Sequence, residues 1–231
     1  MIGFFSTPPP ALQAAALPLS ISRRQSAGAT GNAVTATFGS TPTAGNLLVV
    51  FAWHRSDPDD PTISGSGWTR HFNVEISGTA RRQMACWSKV AGEDEPSSIT
   101  VDYGVTATMV IQEFEPSAAV TWTYEDHARG DGSNTTSIAT GNTGSIAAGD
   151  ILELGFVALR TNFDSQVTFS DFTSRPIGNV VSENANVDSG RATAAGWAQT
   201  SDAGTRATTG NWSNDTTTGA SVFIVVFRGT T

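Results

Sequence analysis

Ala44-Gly45-Asn46-Leu47-Leu48 and Ala148-Gly149-Asp150-Ile151-Leu152 are two closely similar pentapeptides that lie 104 positions apart in a chain of 231 residues. Each pentapeptide opens a hydrophobic run, over residues 49–53 in the first case and 154–159 in the second. A short, near-continuous apolar run fits a strand that is covered on both faces. The chain therefore contains the same strand entry twice.

Two further pairs of segments follow in the same order, and the offset between partners rises from 104 to 113 along the chain. The pairs are residues 82–87 with 191–197 and residues 107–114 with 220–227. Such a drift is expected where loops have lengthened while the strands kept their order. The repeat predicts a duplicated unit of roughly 100 residues, a usual size for a domain.

Alternating apolar residues predict further strands that are half-buried. The pattern occurs at Leu17, Leu19 and Ile21, and it recurs at an offset of 103 at Val120, Trp122 and Tyr124. Glycine, proline and serine separate the predicted strands, as in antiparallel sandwiches. The sequence therefore predicts an all-β fold of two tandem antiparallel β-sandwich domains, jelly-roll-like, over residues 17–116 and 117–231.

Residues 1–16 are predicted to form an extended arm in front of the first domain. Three consecutive prolines favour a polyproline conformation and cannot join a sheet ladder. Chain ends commonly fray, but two phenylalanines on this segment have no local core to enter, and we expect the arm to dock on a neighbouring subunit. The predicted attachment residues are Phe4, Phe5, Pro8, Pro9 and Pro10.

The composition argues against several classes of partner. The formal net charge is -8 and Lys89 is the only lysine, whereas proteins that bind a phosphate backbone carry a basic stripe. No apolar run approaches the roughly 20 residues of a membrane-spanning helix. The proline run interrupts the first residues before a signal peptide can form. We therefore expect no nucleic acid partner, no membrane partner and no signal peptide.

Residues able to carry chemistry are scattered along the chain. His54, His71 and His127 do not stand at metal-ligand spacings, and no Gly-x-Ser-x-Gly elbow precedes a helix pattern. The acidic segments 57–60 and 93–95 lack the pattern of a calcium loop and are interpreted as solvated turns. The sequence predicts no catalytic, cofactor-binding or metal-binding residue, and no enzyme activity.

The single cysteine and the tryptophans are assigned mainly to the cores. Cys86 excludes an internal disulfide and is expected to be a buried apolar thiol. Trp68, Trp87 and Trp197 lie at strand or repeat-matched positions and are predicted core residues. Trp53 and Trp212 are also predicted to pack in the cores, and a second interpretation stays open in which they line a sugar-binding surface.

Four phrases of the first unit resemble one protein family when they are taken together. They are Ala44-Gly45-Asn46-Leu47-Leu48-Val49, Ser66-Gly67-Trp68-Thr69, Trp87-Ser88-Lys89-Val90-Ala91-Gly92 and Glu95-Pro96-Ser97-Ser98-Ile99-Thr100. The combination is similar to small β-sandwich proteins among the virion structural and tail-associated proteins of tailed bacteriophages. The resemblance covers residues 34–116, and the second unit keeps only part of it. It implies a virion component and brings no catalytic residue.

The sequence-based hypothesis is a non-enzymatic structural protein of a bacteriophage virion. It is expected to be made in the host cytoplasm and to form a homo-oligomer. Its expected partners are other capsid or tail subunits, which it binds as capsid decoration or within the tail or a fibre. One alternative is a carbohydrate-binding module that recognises host surface glycans. A further alternative is a glycan-cleaving enzyme, which needs two carboxylates placed across a sugar.

Overall fold

A computed structural model describes residues 19–55, 60–77, 81–160, 167–170, 183–187, 191–212 and 219–231. Within these ranges the chain is all-β, with antiparallel sheets and no helix, which confirms the all-β part of the predicted fold. These ranges accordingly hold no helix long and apolar enough to span a membrane. The predicted attachment residues Phe4, Phe5, Pro8, Pro9 and Pro10 lie outside the described residues.

The described strands fall into two sets of eight, joined by residues 117–120. The first half consists of β1 (Ile21–Gly31), β2 (Val34–Thr37), β3 (Leu47–His54), β4 (Thr62–Ile63), β5 (Thr69–Ile76), β6 (Arg82–Val90), β7 (Ser98–Asp102) and β8 (Ala107–Pro116). The second half consists of β9 (Thr121–Gly132), β10 (Ser137–Ala139), β11 (Asp150–Leu159), β12 (Val167–Ser170), β13 (Glu183–Val187), β14 (Arg191–Thr200), β15 (Thr209–Trp212) and β16 (Ala220–Thr230).

The two halves have the same strand order. In the first half a five-stranded sheet has the order β1-β8-β3-β6-β5 and a three-stranded sheet has the order β2-β7-β4. In the second half the corresponding orders are β9-β16-β11-β14-β13 and β10-β15-β12. Each strand of the first half thus takes the place of the strand eight positions later in the second half.

The alternation of side chains in β3 sends its apolar residues into two different cores. Leu47, Val49 and Phe51 point to one face of the five-stranded sheet, and Leu48 and Val50 point to the other. All five side chains are buried, and β11 repeats the arrangement. The continuous apolar runs therefore follow from strands that are covered on both faces, as the sequence predicted.

Three hydrophobic cores lie between four layers of sheet. Each three-stranded sheet covers one face of the five-stranded sheet of its own half, around Trp87 and Ile111 in the first half and around Trp212 and Ile224 in the second. The third core joins the two five-stranded sheets, which face each other. We call the surface between these two sheets the seam and its apolar residues the seam core.

Stacked aromatic rings dominate the seam core. Phe51 of β3 stacks on Phe156 of β11 with 4.9 Å between ring centroids. Phe72 stacks on Phe223 at the same centroid distance of 4.9 Å. Aromatic pairs of this kind add to the stabilisation from buried area. The two predicted domains consequently share a core in addition to the core that each holds alone.

Trp87 and Trp197, which the sequence comparison places at matching positions, lie on opposite faces of their sheets. Trp87 belongs to the first half's own core, whereas Trp197 belongs to the seam core. A shift of one residue moves a strand side chain to the other face. The match of Trp87 with Trp197 is therefore wrong by one position, and Ser88 is the residue equivalent to Trp197.

A residue of the first half is equivalent to one of the second half when both lie on the same face of their sheets and pair with corresponding residues of the neighbouring strands. In the rows along the seam the equivalent pairs are Leu47 with Leu152, Val49 with Leu154, Phe51 with Phe156, Ser88 with Trp197, Val90 with Gln199, Gln112 with Val225 and Phe114 with Phe227. By the same criterion Ile21 matches Trp122. The offset of 103 expected from the sequence pairs Ile21 with Tyr124 instead, and that pairing is wrong.

Candidate binding cleft at the seam

A β-bulge in β5 brings two neighbouring ring side chains into the seam. The pairing of β5 with β6 skips His71, which lies between Arg70 and Phe72. A bulge interrupts the alternation of a strand and re-aims its side chains. His71 and Phe72 accordingly both contact rings of the second half.

A second bulge, in β9, supplies the opposing rings. The pairing of β9 with β16 skips Glu125, next to the pair Tyr124 and Phe227. Tyr124 and His127 therefore both face the seam, one on each side of the bulge. The Tyr124 hydroxyl and His127 Nδ1 are 2.6 Å apart and share a hydrogen bond.

The rings from the two bulges stack across the seam. His71 stacks on Tyr124 with 4.1 Å between centroids, and Phe72 stacks on His127 at 4.6 Å. His71 Nε2 is 2.7 Å from the Ser88 hydroxyl, with which it shares a hydrogen bond. Phe72 also contacts the phenylalanines of the seam core, so the rings form a column that continues into the centre of the protein.

Burial determines the protonation of this column. Loss of solvation, with a smaller contribution from nearby His127, lowers the pKa of His71 to about 4. Loss of solvation also lowers the pKa of His127 and raises the pKa of the Tyr124 hydroxyl. Since desolvation disfavours the charged form of each group, both imidazoles and the phenol are neutral at pH 7.

An open cleft of about 370 Å³ lies at the outer end of the column, between β5 and β6 of the first half and β9 and β16 of the second. We call it the seam cleft and define it by six of its lining residues, Thr69, His71, Ser88, Lys89, Trp122 and Tyr124. The indole Nε1 of Trp122 is buried and has no hydrogen-bond partner among the described residues. Val90, which is 48% exposed, also lines the cleft.

Lys89 is held at the seam cleft by three contacts. Its Nζ is 2.8 Å from a carboxylate oxygen of Glu95 and donates a hydrogen bond of 2.9 Å to the Ser66 carbonyl. The same Nζ lies 5.4 Å from the centroid of the Trp68 ring, within range of a cation–π contact. The charge of the chain's only lysine is thus balanced by an acid of the protein itself.

The four sequence phrases at residues 44–49, 66–69, 87–92 and 95–100 meet around Lys89. Lys89 joins the second, third and fourth phrases through Ser66 and Glu95. The first phrase is joined to the third by a hydrogen bond of 2.9 Å from the Gly45 amide to the Ala91 carbonyl. Residues that are separated in the sequence therefore form one cluster of turns beside the seam cleft.

Trp53 and Trp212 present no face to a sugar. Trp53 is 0% exposed in the seam core, and Trp212 is 4% exposed in the second half's own core. Their indole N–H groups donate to the carbonyls of Ala192 and Thr135, at 3.1 and 3.0 Å. Both tryptophans therefore pack in cores, and the interpretation in which they line a sugar-binding surface is wrong.

The other residues singled out in the sequence have structural surroundings. Cys86 is buried in the seam core, and burial raises the pKa of its thiol. His54 is buried, with Nε2 3.3 Å from Gln83 Oε1. Trp68 is only half-buried, beneath Lys89.

The acidic segments do not form a metal site in the described part of the chain. Asp57 and Asp59 lie outside the described residues, whereas Asp60 pairs with Arg70 at 2.7 Å. Glu93 and Asp94 are exposed. Across the described ranges no three histidine, cysteine, aspartate or glutamate side chains are grouped as a bound metal ion requires.

The sequence did not reveal the seam cleft, because its residues come from strands of both halves. In the sequence His71 is a histidine without metal-ligand spacing, and Trp122 belongs to an alternating strand pattern. One signal was present: Tyr124 and His127 are three positions apart in a strand, a spacing that places both on one face only if a bulge lies between them.

No protein-family model, curated protein or solved structure matches this chain. The seam cleft is therefore interpreted from its own geometry and chemistry.

Proposed function

We propose that this protein is a non-enzymatic structural component of a bacteriophage virion, on the capsid surface or in the tail, built from two jelly-roll domains related by duplication. The observation that carries the proposal is the seam core, which joins the two halves into one four-layer block. A rigid block suits assembly into a particle, because preorganised surfaces lose little conformational entropy on docking. The resemblance of residues 34–116 to phage proteins supports a phage virion as the particle.

The strand order supports two jelly rolls. A jelly roll arranges eight strands in two sheets through Greek-key connections. In each half the first, eighth, third and sixth strands form one sheet and the second, seventh and fourth form the other. The fifth strand extends the larger sheet by pairing with the sixth.

A repeated β-bulge supports the duplication. β1 skips Arg24 in its pairing with β8, and β9 skips Glu125 at the equivalent point of its pairing with β16. Each skipped residue makes an ion pair with the neighbouring strand, and the charges are exchanged between the halves. Arg24 pairs with Glu115 at 3.1 Å, and Glu125 pairs with Arg228 at 2.8 Å. Because bulges persist within families, the shared bulge points to one ancestral strand pair.

The seam has the character of an isologous interface. Phe51 and Phe156 occupy equivalent positions and stack on each other, as residues near a two-fold axis do. The chain thus holds within itself a contact of the kind that homodimers make. Further copies or other virion subunits are expected to attach through the arm formed by residues 1–16 and through the outer surfaces.

The native mass of the full-length protein and of a variant lacking residues 1–16 tests this proposal, by light scattering after size-exclusion chromatography. We expect one defined oligomer for the full-length protein and a monomer with an unchanged melting temperature for the truncated one. The fold should survive because the described seam core is built from residues 19–227. A monomeric full-length protein, or a truncated protein that assembles like the full-length chain, would contradict assembly through the arm.

A further inference from the structure

The two ends of the seam are equivalent in their strands but differ in their side chains. At the closed end, Trp197 packs edge-on against Phe114 with 5.9 Å between ring centroids. The Gln199 side chain then bridges to the main chain of the first half. Its Oε1 accepts from the Ile21 amide at 2.8 Å, and its Nε2 donates to the Leu19 carbonyl at 2.6 Å.

At the open end two of the equivalent positions hold smaller residues. Ser88 stands where the closed end has Trp197, and Val90 stands where it has Gln199. The ring equivalent to Phe114 is Phe227, which lines the seam cleft. The cleft therefore lies beside the two positions whose counterparts, an indole and a bridging amide, close the other end. Its volume of about 370 Å³ falls in the range of small-molecule sites.

The described lining of the seam cleft offers no unbalanced charge. Lys89 is paired with Glu95, and His71 is neutral at pH 7 because burial lowers its pKa. A phosphate, sulfate or carboxylate ligand would meet no unpaired cation there, and a cationic ligand would meet no unpaired carboxylate. The cleft suits an uncharged ligand.

The lining is nevertheless not purely apolar. The Trp122 Nε1 is closed to solvent and lacks a hydrogen-bond partner among the described residues, so the indole gains a hydrogen bond by turning toward a ligand that supplies an acceptor in the cleft. Thr69 and Thr123, which carry hydroxyl groups, line the cleft together with Trp122 and Tyr124. The lining thus combines aromatic rings with polar groups, as in sites that fix the orientation of a ligand with few hydrogen bonds.

We propose that the seam cleft binds a short, uncharged saccharide. A pyranose ring combines apolar C–H faces, which pack on aromatic rings, with a rim of hydroxyl groups that accept and donate hydrogen bonds. Once the indole turns toward the cleft, the Trp122 N–H donates to one such hydroxyl, and the side chains of Thr69 and Thr123 bind others. A wholly apolar ligand leaves the indole N–H unsatisfied, which costs free energy in a buried site. The proposal is independent of the role in a virion.

The test uses the full-length protein and saturation-transfer NMR with named sugars. The panel contains the methyl glycosides of glucose, galactose, mannose and N-acetylglucosamine, together with maltose, lactose and chitobiose. We expect saturation transfer to at least one of these sugars. Trp122→Phe, which removes only the ring N–H, should weaken binding of that sugar by about tenfold, the effect of one lost hydrogen bond.

Two filling variants and one control localise the binding. Ser88→Trp places at the open end the residue that fills the closed end, and it should abolish binding. Val90→Trp fills the cleft from an exposed position and serves if Ser88→Trp lowers the melting temperature. Trp197→Phe removes a buried indole N–H at the closed end and should leave binding unchanged.

Three results would overturn the proposal. The first is an absence of saturation transfer to every sugar of the panel. The second is sugar binding that persists in both filling variants, which would place it elsewhere on the surface. The third is binding of a synthetic peptide of residues 1–18 to the full-length protein. If Val90→Trp abolishes this binding and no sugar competes with the peptide, the cleft belongs to the arm.

Discussion

Replacing Phe51 with alanine should destabilise both halves of the protein together. The Phe51 ring is fully buried at the centre of the seam core. It stacks on Phe156 at 4.9 Å, lies 5.4 Å from Phe223 and meets Phe72 edge-on at 6.5 Å. Two of these three rings belong to the second half, so the loss of Phe51 removes contacts within and between the halves.

The size of the effect follows from the contacts that are lost. Truncation of a fully buried phenylalanine costs about 3–5 kcal/mol, because apolar area is lost and a cavity remains. For a protein of this length each kcal/mol lowers the melting temperature by about 2–4 °C. The melting temperature of Phe51→Ala should therefore fall by about 6–20 °C. If the seam core couples the halves, unfolding should remain a single transition.

Calorimetry combined with hydrogen exchange measures both the size and the coupling. The exchange of β7 reports on the first half, and that of β15 reports on the second, since both strands lie in the outer sheets away from the seam. Phe51→Ala should speed exchange in both strands by the same factor. Phe169→Ala, in the second half's own core, is the matched variant and should also speed exchange in β7.

Two outcomes would refute the reasoning. Two separate calorimetric transitions in the wild-type protein would show that the seam core does not couple the halves. Faster exchange in β15 alone after Phe169→Ala would lead to the same conclusion. If the melting temperature of Phe51→Ala falls by much less than the expected range, neighbouring rings have closed the cavity.

Two further predictions concern polar groups in the seam. Gln112→Val should raise the free energy of unfolding, measured in urea, by about 1–2 kcal/mol. Both side-chain amide atoms of Gln112 are buried without a partner among the described residues, and the equivalent residue of the second half is Val225. The control Val225→Gln should lower the free energy of unfolding, and a destabilised Gln112→Val would contradict the expectation. Acidification from pH 7 to pH 5 should lower the stability of the wild-type protein more than that of His71→Phe. The pKa of His71 is about 4 in the folded protein and 6.5 when unperturbed, so between these pH values the unfolded state binds a proton that the folded state does not. Urea titrations at pH 7 and pH 5 measure the loss of stability, and an equal loss in the wild-type protein and in His71→Phe would contradict this prediction.

The all-β class and the principal strands were predictable because their signal is local. Residues 47–53 and 82–90 show apolar or alternating patterns that need no knowledge of the partner strand. Burial of Cys86 and Trp87 followed from the same pattern. The exact match between the halves was not predictable, because a pattern of period two looks almost the same after a shift of one residue when both faces are apolar.

The seam core and the seam cleft were not predictable for a different reason. An apolar run such as residues 47–53 shows that both faces of a strand are covered, but it does not show which element covers each face. The bulges at His71 and Glu125 re-aim side chains against the alternation that sequence interpretation relies on. The pair of His71 and Tyr124 therefore joins two residues that no local pattern connects.

The cleft at one end of the seam is an arrangement that a duplicated chain allows and a homodimer does not. In a two-fold symmetric dimer both ends of the interface carry the same residues, so that both are open or both are closed. Once the two copies are fused, each end can change separately. Trp197 and Gln199 close one end, while Ser88 and Val90 leave the other open. In the proposed duplicated chain, one end of the interface holds the two halves together, and the other end can bind a ligand.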